Sequence, residues 1–312
     1  MPEPRTLGKS AIQVSPIGLG SWRTFERMER EDAEQLLAYA LTHGIDFLDD
    51  ARYDDETGSA PLASGYSEVL FGELFRAVGA DPATVSVSNK LWWEFWPQQT
   101  AVAELEGSLE RMGLARLRLL YSSTLPDEVP VPVAVEQIAA VLATGRVDAW
   151  GVVNWSAEAL TAAGREAHTL GLAQPCAVQL PYSLAHTDWV ENPAMERALA
   201  DTGASLIPSA VLAGGALSGK YAEGRAGRLS GELDSPARRG AFELGAALRA
   251  PAQRLGVSPA TLAIAFTLRH PRTAATLIGA TRPEQIDDAL AAVKLAGQMS
   301  EGNARQLREL AR

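Results

Sequence analysis

The sequence predicts a (β/α)8 barrel with an N-terminal β-hairpin cap, and three observations carry that expectation. Eight short apolar runs of strand character recur along the 312 residues, and the first seven start roughly 30 residues apart. Segments of helical periodicity lie between them. No GxGxxG fingerprint follows an early strand, which argues against a doubly wound open sheet. Alternating strands and helices specify a parallel sheet, and eight strands close it on itself.

In chain order, residues Arg5–Val14 are expected to form the hairpin, turning at Gly8-Lys9-Ser10 and covering the barrel floor. The strand runs are 17–20 (IGLG), 46–49 (DFLD), 85–89 (VSVSN), 117–121 (LRLLY), 148–152 (DAWGV), 176–180 (CAVQL), 204–208 (ASLIP) and 274–278 (AATLI). Ala33, Leu36, Leu37, Ala40 and Leu41 mark one buried helix face. Val102, Leu105, Leu109 and Met112 mark another, and Val135, Ile138, Ala139 and Leu142 a third. Thr42-His43-Gly44 stops the first helix, and Ser258-Pro259 starts a late one with a cap followed by Pro. Leu212 to Pro236, rich in Gly and charge, reads as a long loop. No Ser/Gly-rich linker divides the chain, so 1–312 is expected to be a single domain.

Composition narrows the function classes. A formal net charge of −10 argues against nucleic acid or an anionic membrane surface as a partner. The single cysteine, Cys176, lies in an apolar run without an evident His partner, which reads as an inert buried thiol in a reducing compartment. No apolar stretch reaches the ~20 residues that span a bilayer, and MPEPRTLGKS lacks an apolar signal region. A cytoplasmic location is the expectation, and oligomeric state is left open.

Chemistry in such barrels gathers where the strands end and the following loops converge. Those positions hold Ser21, Trp22 and Arg23, then Asp49 to Tyr53, then Asn89 and Lys90 with the aromatic run Trp92, Trp93, Phe95 and Trp96. Ser122 and Ser123, Asn154 and Trp155, Gln179 and Tyr182, Ser209, and Gly279 to Arg282 complete the ring. Asp49, Tyr53 and Lys90 make a sensible proton-transfer trio. A phenol titrates at about pH 10, an ammonium beside it stabilises the phenolate, and a carboxylate keeps the ammonium charged. A structural Asp49–Lys90 pair with Tyr53 as loop packing is the plainer alternative. Trp22, Trp92, Trp93, Trp96 and Trp155 suggest an apolar substrate wall, against a core or subunit-interface role. Arg282, ahead of a helix opened by Pro283, is placed to meet a phosphate with backbone N–H help.

These segments together resemble the aldo-keto reductases over nearly the whole chain. LGKSAIQVSPIGLGSW from Leu7 is similar to the family's opening hairpin and first strand. GIDFLDDARY from Gly44 resembles its second-strand motif, in which Asp is followed by Thr-Ala and then Tyr. GYSEVLFGELF from Gly65, GRVDAWGVVNWS from Gly145, LAGGALSGKY from Leu212 and IGATRPEQIDDAL from Ile278 follow in family order. The resemblance implies NADPH-dependent hydride transfer to a carbonyl without metal.

Residue by residue, Asp49 and Lys90 match the family's catalytic Asp and Lys. The family's Tyr position is Asp54 here, so Tyr53 is one residue short, and Tyr66 is the fallback donor. Ser123 stands where the family has His, and a hydroxyl donates but does not titrate near neutrality. Asn154 and Gln179 match the nicotinamide-amide ligands. Val153 replaces a usual Ser, and Ser209 replaces the ring that stacks on nicotinamide, with Trp22 or Trp155 as substitutes. Leu212, Gly214 and Lys220, then Gly279, Ala280, Thr281, Arg282, Gln285 and Asp288, fall in the two segments that embrace NADPH, although Ala289 replaces an Asn. The leading expectation is an NADPH-dependent oxidoreductase acting on a bulky, apolar carbonyl compound or related unsaturated group. The alternatives are an NADPH-binding module with little chemistry and a Schiff-base lyase using Lys90, which the neighbouring Asp49 disfavours.

Overall fold

The computed structural model describes residues 3–311; Met1, Pro2 and Arg312, the ends of the span expected as one domain, lie outside the described residues. A two-stranded antiparallel hairpin, β1 (Arg5–Thr6) and β2 (Gln13–Val14), precedes eight parallel strands. These are β3 (Ile17–Gly20), β4 (Phe47–Asp49), β5 (Ser86–Leu91), β6 (Leu117–Ser122), β7 (Val147–Val153), β8 (Ala177–Pro181), β9 (Ser205–Ser209) and β10 (Thr276–Ile278). They pair in chain order, with β10 against β3. Between β9 and β10 the ladder thins to a single bridge, Leu206 with Thr273, flanked by Leu206 N to Arg272 O at 2.8 Å and Ala274 N to Leu206 O at 3.1 Å. The sheet is thereby a nearly closed barrel.

Eleven helices surround it among the described residues. They are α1 (Arg30–Thr42), α2 (Tyr66–Ala77), α3 (Ala101–Met112), α4 (Val131–Ala143), α5 (Ala157–Thr169), α6 (Pro193–Thr202), α7 (Arg239–Ala247), α8 (Arg249–Leu255), α9 (Pro259–Leu268), α10 (Pro283–Gln298) and α11 (Glu301–Leu310). Their starts follow local chemistry. Thr100, Ser156, Asn192, Ser258 and Ser300 each accept a hydrogen bond from the backbone N–H three residues on. Pro follows the cap in α6 and α9, where its missing N–H costs nothing.

The strands are buried on both faces, as a parallel sheet covered by helices requires. The barrel interior is filled by Phe47, Leu119, Tyr121, Ala149, Ile207 and Leu277, continuous with Leu7, Ile12 and Val14 of the hairpin. That hairpin closes the floor: Gly8 N donates to Ser205 Oγ at 2.8 Å, and Arg5 Nη1 to Thr273 O at 3.0 Å. Cys176 is buried in the same cluster, and burial pushes its thiol up to about 12, which makes it a poor nucleophile. No helix of the described residues is long and apolar enough to cross a membrane.

Three details differ from the sequence expectation. The last strand is shorter, starting at Thr276 rather than 274. On α3, Ala101, Glu104 and Ser108 join the buried face, and Val102 is only half-buried. The long loop after β9 is folded into 3-10 turns at Ala213–Ser218, Lys220–Glu223 and Ser230–Glu232; Gly214, Gly215 and Gly219, all at positive φ, make the tight reversals.

Helix α2 meets the end of α3 at Gly72, where an added Cβ would lie 1.9 Å from Met112 O. Backbone oxygen cannot move aside cheaply, so Gly72→Ala should cost about 2 kcal/mol of stability by overpacking. Urea unfolding checks this; an unchanged midpoint would mean that the two helices are free to separate.

Candidate active site

Three strands, β4, β5 and β8, deliver the polar centre. Asp49 ends β4, Lys90 sits one residue before the end of β5, and Gln179 is in β8. Asp49 and Lys90 are each only 4% exposed, so each charge depends on its partners. Lys90 Nζ donates to Asp49 Oδ2 at 2.7 Å, to Asp50 O at 3.1 Å and to Tyr53 OH at 3.2 Å. An ammonium has three donors, and all three are used. Asp49 also accepts from Ser88 Oγ at 2.7 Å and from Gln179 Nε2 at 3.3 Å.

Tyr53 reaches Lys90 because the chain does not continue as a strand after Asp49. Its N–H turns back to Ala51 O at 2.9 Å and also meets Ser67 Oγ at 3.1 Å, while its carbonyl accepts from Gly65 N at 2.9 Å. This tight turn replaces the alternation that would have aimed a residue at 53 elsewhere. Residues 54–64 then leave and return as a side loop, closed at its base by an Asp54–Ser64 bridge. Tyr66 opens α2 and, with Tyr53, Asp54 and Glu56, lines a small crevice; among the described residues no hydrogen bond joins it to Lys90.

The electrostatics are lopsided. Burial raises the Tyr53 phenol above its ordinary value, and the attraction of Lys90 does not undo this. Burial opposes the charge on Lys90, yet Asp49 and Tyr53 together hold its pKa above the usual lysine range. Near neutrality the site therefore holds a phenol with its proton and a charged ammonium behind it.

Above Tyr53 lies an open hollow of about 380 Å³ lined by Trp22, Tyr53 and Trp92, with Arg52, Asp54, Glu56 and Glu94 on its rim. That volume suits a small organic molecule. Trp92 meets the Tyr53 ring edge-on at 6.0 Å between centroids, and Trp22 packs tilted at 6.4 Å. The expected aromatic wall is thus corrected. Trp93 and Trp155 are buried in the core, their indole N–H groups committed to Ser122 Oγ (2.9 Å) and Ser123 O (2.7 Å). Trp96 packs edge-on against Trp93 at 6.2 Å and does not line the hollow. Of the five tryptophans, Trp22 and Trp92 face the opening, and Trp155 cannot supply a stacking ring. Ser123 is buried beside them, and neither its Oγ nor Trp92 Nε1 has a hydrogen-bond partner.

The residues expected to hold a cofactor follow the rim onward from β7. Asn154 is exposed at positive φ, with its N–H on Gln179 O at 3.0 Å. Ser209 and Leu212 are half-buried at the end of β9, and Gly214 is one of the reversals of the loop after it. Lys220 lies close to Arg282 and Arg225; burial lowers its pKa and the two guanidinium charges lower it further. Such crowded cations are relieved by an anion, so this corner fits a phosphate. Gly279 exposes its backbone at the end of β10, and Ala280 is buried beneath. The N–H groups of Thr281 and Arg282 donate to Gln285 Oε1, at 2.8 and 3.2 Å, so these two amides are engaged within the turn that opens α10. Asp288 accepts from Thr261 Oγ1 at 3.0 Å and ties α10 to α9.

Sequence reasoning missed several supporting groups. Glu104 of α3 accepts from Trp92 N at 2.7 Å and Trp93 N at 3.4 Å, holding Trp92 over the site and Trp93 at its positive φ. A charged residue on the buried stripe of α3 was the available signal. Two guanidinium groups lie over the Trp22 ring, Arg23 at 5.0 Å and Arg228 at 4.8 Å from its centroid. Glu56 of the side loop pairs with Arg23 and Arg27, so three loops meet around Trp22. Contacts between loops carry no sequence period and were not legible.

The chain as a whole has relatives. The aldo/keto reductase family profile matches residues 16–312. A probable voltage-gated potassium channel subunit beta of Arabidopsis thaliana is 28% identical over 305 residues, covering 93% of this chain and 90% of that protein. A protein of the same description from Oryza sativa subsp. japonica is 29% identical over 303 residues, covering 90% and 88%. The chain belongs to the aldo/keto reductase family, a class of NAD(P)H-dependent oxidoreductases.

Proposed function

We propose that this protein is a cytoplasmic, single-domain enzyme that reduces the carbonyl group of an apolar small molecule with NADPH. The observation that carries the reading is the hydrogen bond from a fully engaged, charged Lys90 to the phenol of Tyr53 at the floor of the hollow. NADPH, when bound, supplies the hydride. Tyr53 gives its proton to the carbonyl oxygen as negative charge builds there. Lys90 stabilises the phenolate that remains, and Asp49 keeps Lys90 charged and aimed. Ser123 and Trp92 offer unused donors near the substrate oxygen, while the faces of Trp22 and Trp92 take up apolar surface. The charged rim favours a substrate whose apolar part enters first.

Asn154 and Gln179 would hold the carboxamide end of NADPH, with Ser209 and Trp22 near its ring. Leu212, Gly214, Gly279, Ala280 and Thr281 would line the phosphate path, and Gln285 and Asp288 the adenine end. Lys220 and Arg282 would meet the phosphate that distinguishes NADPH from NADH, a reading supported by their proximity.

A second reading has support in Ser123, whose hydroxyl cannot supply a cation, and in the channel-subunit descriptions of the two relatives. In it the barrel binds NADPH and turns over little. Oxidation of NADPH across a panel of aldehydes and ketones separates the two: steady turnover supports the enzyme, and tight binding without oxidation supports the module.

Lys90→Met should lower kcat/KM by about 10²–10⁴-fold while leaving NADPH affinity within a few-fold, measured by steady-state rates and fluorescence titration. Undiminished turnover would remove Lys90 from the chemistry. Arg282→Ala should weaken NADPH about tenfold or more and hardly touch NADH, because only one of them carries the extra phosphate. Equal losses for both would place Arg282 elsewhere.

A further inference from the structure

Asp50 adjoins the proton-transfer centre and has no role in the mechanism above. It is fully buried. Ser21 Oγ donates to its Oδ1, its Oδ2 has no partner, and its backbone oxygen accepts one of the three Lys90 hydrogen bonds. The charges around it are already matched. Asp49 pairs with Lys90, and Glu68, also fully buried, pairs with Arg111 and accepts from Asn89 Nδ2 at 2.9 Å. Among the described residues no further cation is left for a third carboxylate, and a buried carboxylate without one is strongly disfavoured.

We propose that Asp50 is held as a neutral carboxylic acid behind Lys90 and acts as a positioning residue that sets the alkaline limit of turnover. The inference rests on the carbonyl-reductase reading for its effect on rate, but not for the protonation itself. The groups facing Asp50 are Asp49, Lys90, Tyr53 and Glu68, with Arg111 beyond Glu68 and the Ser21 hydroxyl on Oδ1. Burial, then repulsion by Glu68, raises the Asp50 carboxyl to about 8. Above that pH a new negative charge beside Lys90 competes with Tyr53 for the ammonium. It also opposes the phenolate that forms when Tyr53 gives up its proton. Both effects slow reduction.

The sign for stability is fixed by the same shift. The folded state keeps the Asp50 proton that the unfolded chain loses near pH 4, so wild-type stability falls between about pH 4 and about pH 8 and then levels. Asp50→Asn, neutral and of the same shape, removes that dependence. Its melting temperature should gain on the wild type as pH rises through this window and hold the gain above it. In kcat/KM profiles from pH 6 to 10, Asp50→Asn should lose the fall near pH 8, and Asp50→Thr, a smaller neutral side chain, should do the same. A purely structural Asp50 would lower activity evenly across pH and leave the limb in place, which would overturn the proposal. A melting-temperature difference that is flat across pH would overturn it as well. If no carbonyl is reduced by the wild type, the reductase reading fails, and the melting series still decides the protonation state.

Discussion

The buried Asp49–Lys90 ion pair is the constraint on which the top of this barrel depends. Two charges, each almost wholly removed from water, persist only if every donor and acceptor is met. Ser88 and Gln179 complete Asp49, while Tyr53 and the Asp50 carbonyl complete Lys90. Those partners come from β4 and the turn after it, β5 and β8, so the pair fixes the strand ends relative to one another. Strand register supplies the rest: Lys90 lies opposite Tyr121, and Ser88 opposite Asp49. A chain that satisfies this pair has already placed a phenol at hydrogen-bond distance from an ammonium.

Beyond the pair, the site is held by loops. Glu104 reaches from α3 to the backbone of Trp92 and Trp93, and a side loop closed at Asp54 and Ser64 carries Glu56 to Arg23 and Arg27. Arg228, from the folded segment after β9, lies over the Trp22 ring. The loop after β3 and the folded segment after β9 therefore meet at one aromatic ring on the edge of the hollow. With Ser123 in place of a titrating group, Lys90 is the one cation that the proposed mechanism sets beside the developing charge. This gives the accuracy of its placement more weight than an additional cation would leave it.

Much of the fold was legible because its signals are periodic. Strand runs near every thirtieth residue, helix faces at i, i+3 and i+4, and caps such as Ser258-Pro259 each follow from local chemistry, and the structure keeps them. The placement of Asp49 and Lys90 at strand ends was legible for the same reason. Tyr53 was ambiguous because its aim depends on one turn closed by Ser67 and Gly65, both more than ten residues away. The tryptophans were misjudged in part. Burial of Trp93 and Trp155 follows from hydroxyl and carbonyl partners on β6 and just beyond it, which composition cannot reveal. Asp50 follows Asp49 directly, with nothing in the sequence to tell the two carboxyls apart, and only the count of nearby cations does so.

The central claim is that these strand ends assemble a working dinucleotide site despite Ser209 and Ser123. Titration of the purified protein with NADPH and NADH, followed by quenching of its tryptophan fluorescence, tests it most directly. The account predicts binding at micromolar concentration or tighter with a clear preference for NADPH. Failure of both dinucleotides to bind would contradict it, and the Tyr53–Lys90–Asp49 cluster would then need a role without a nicotinamide.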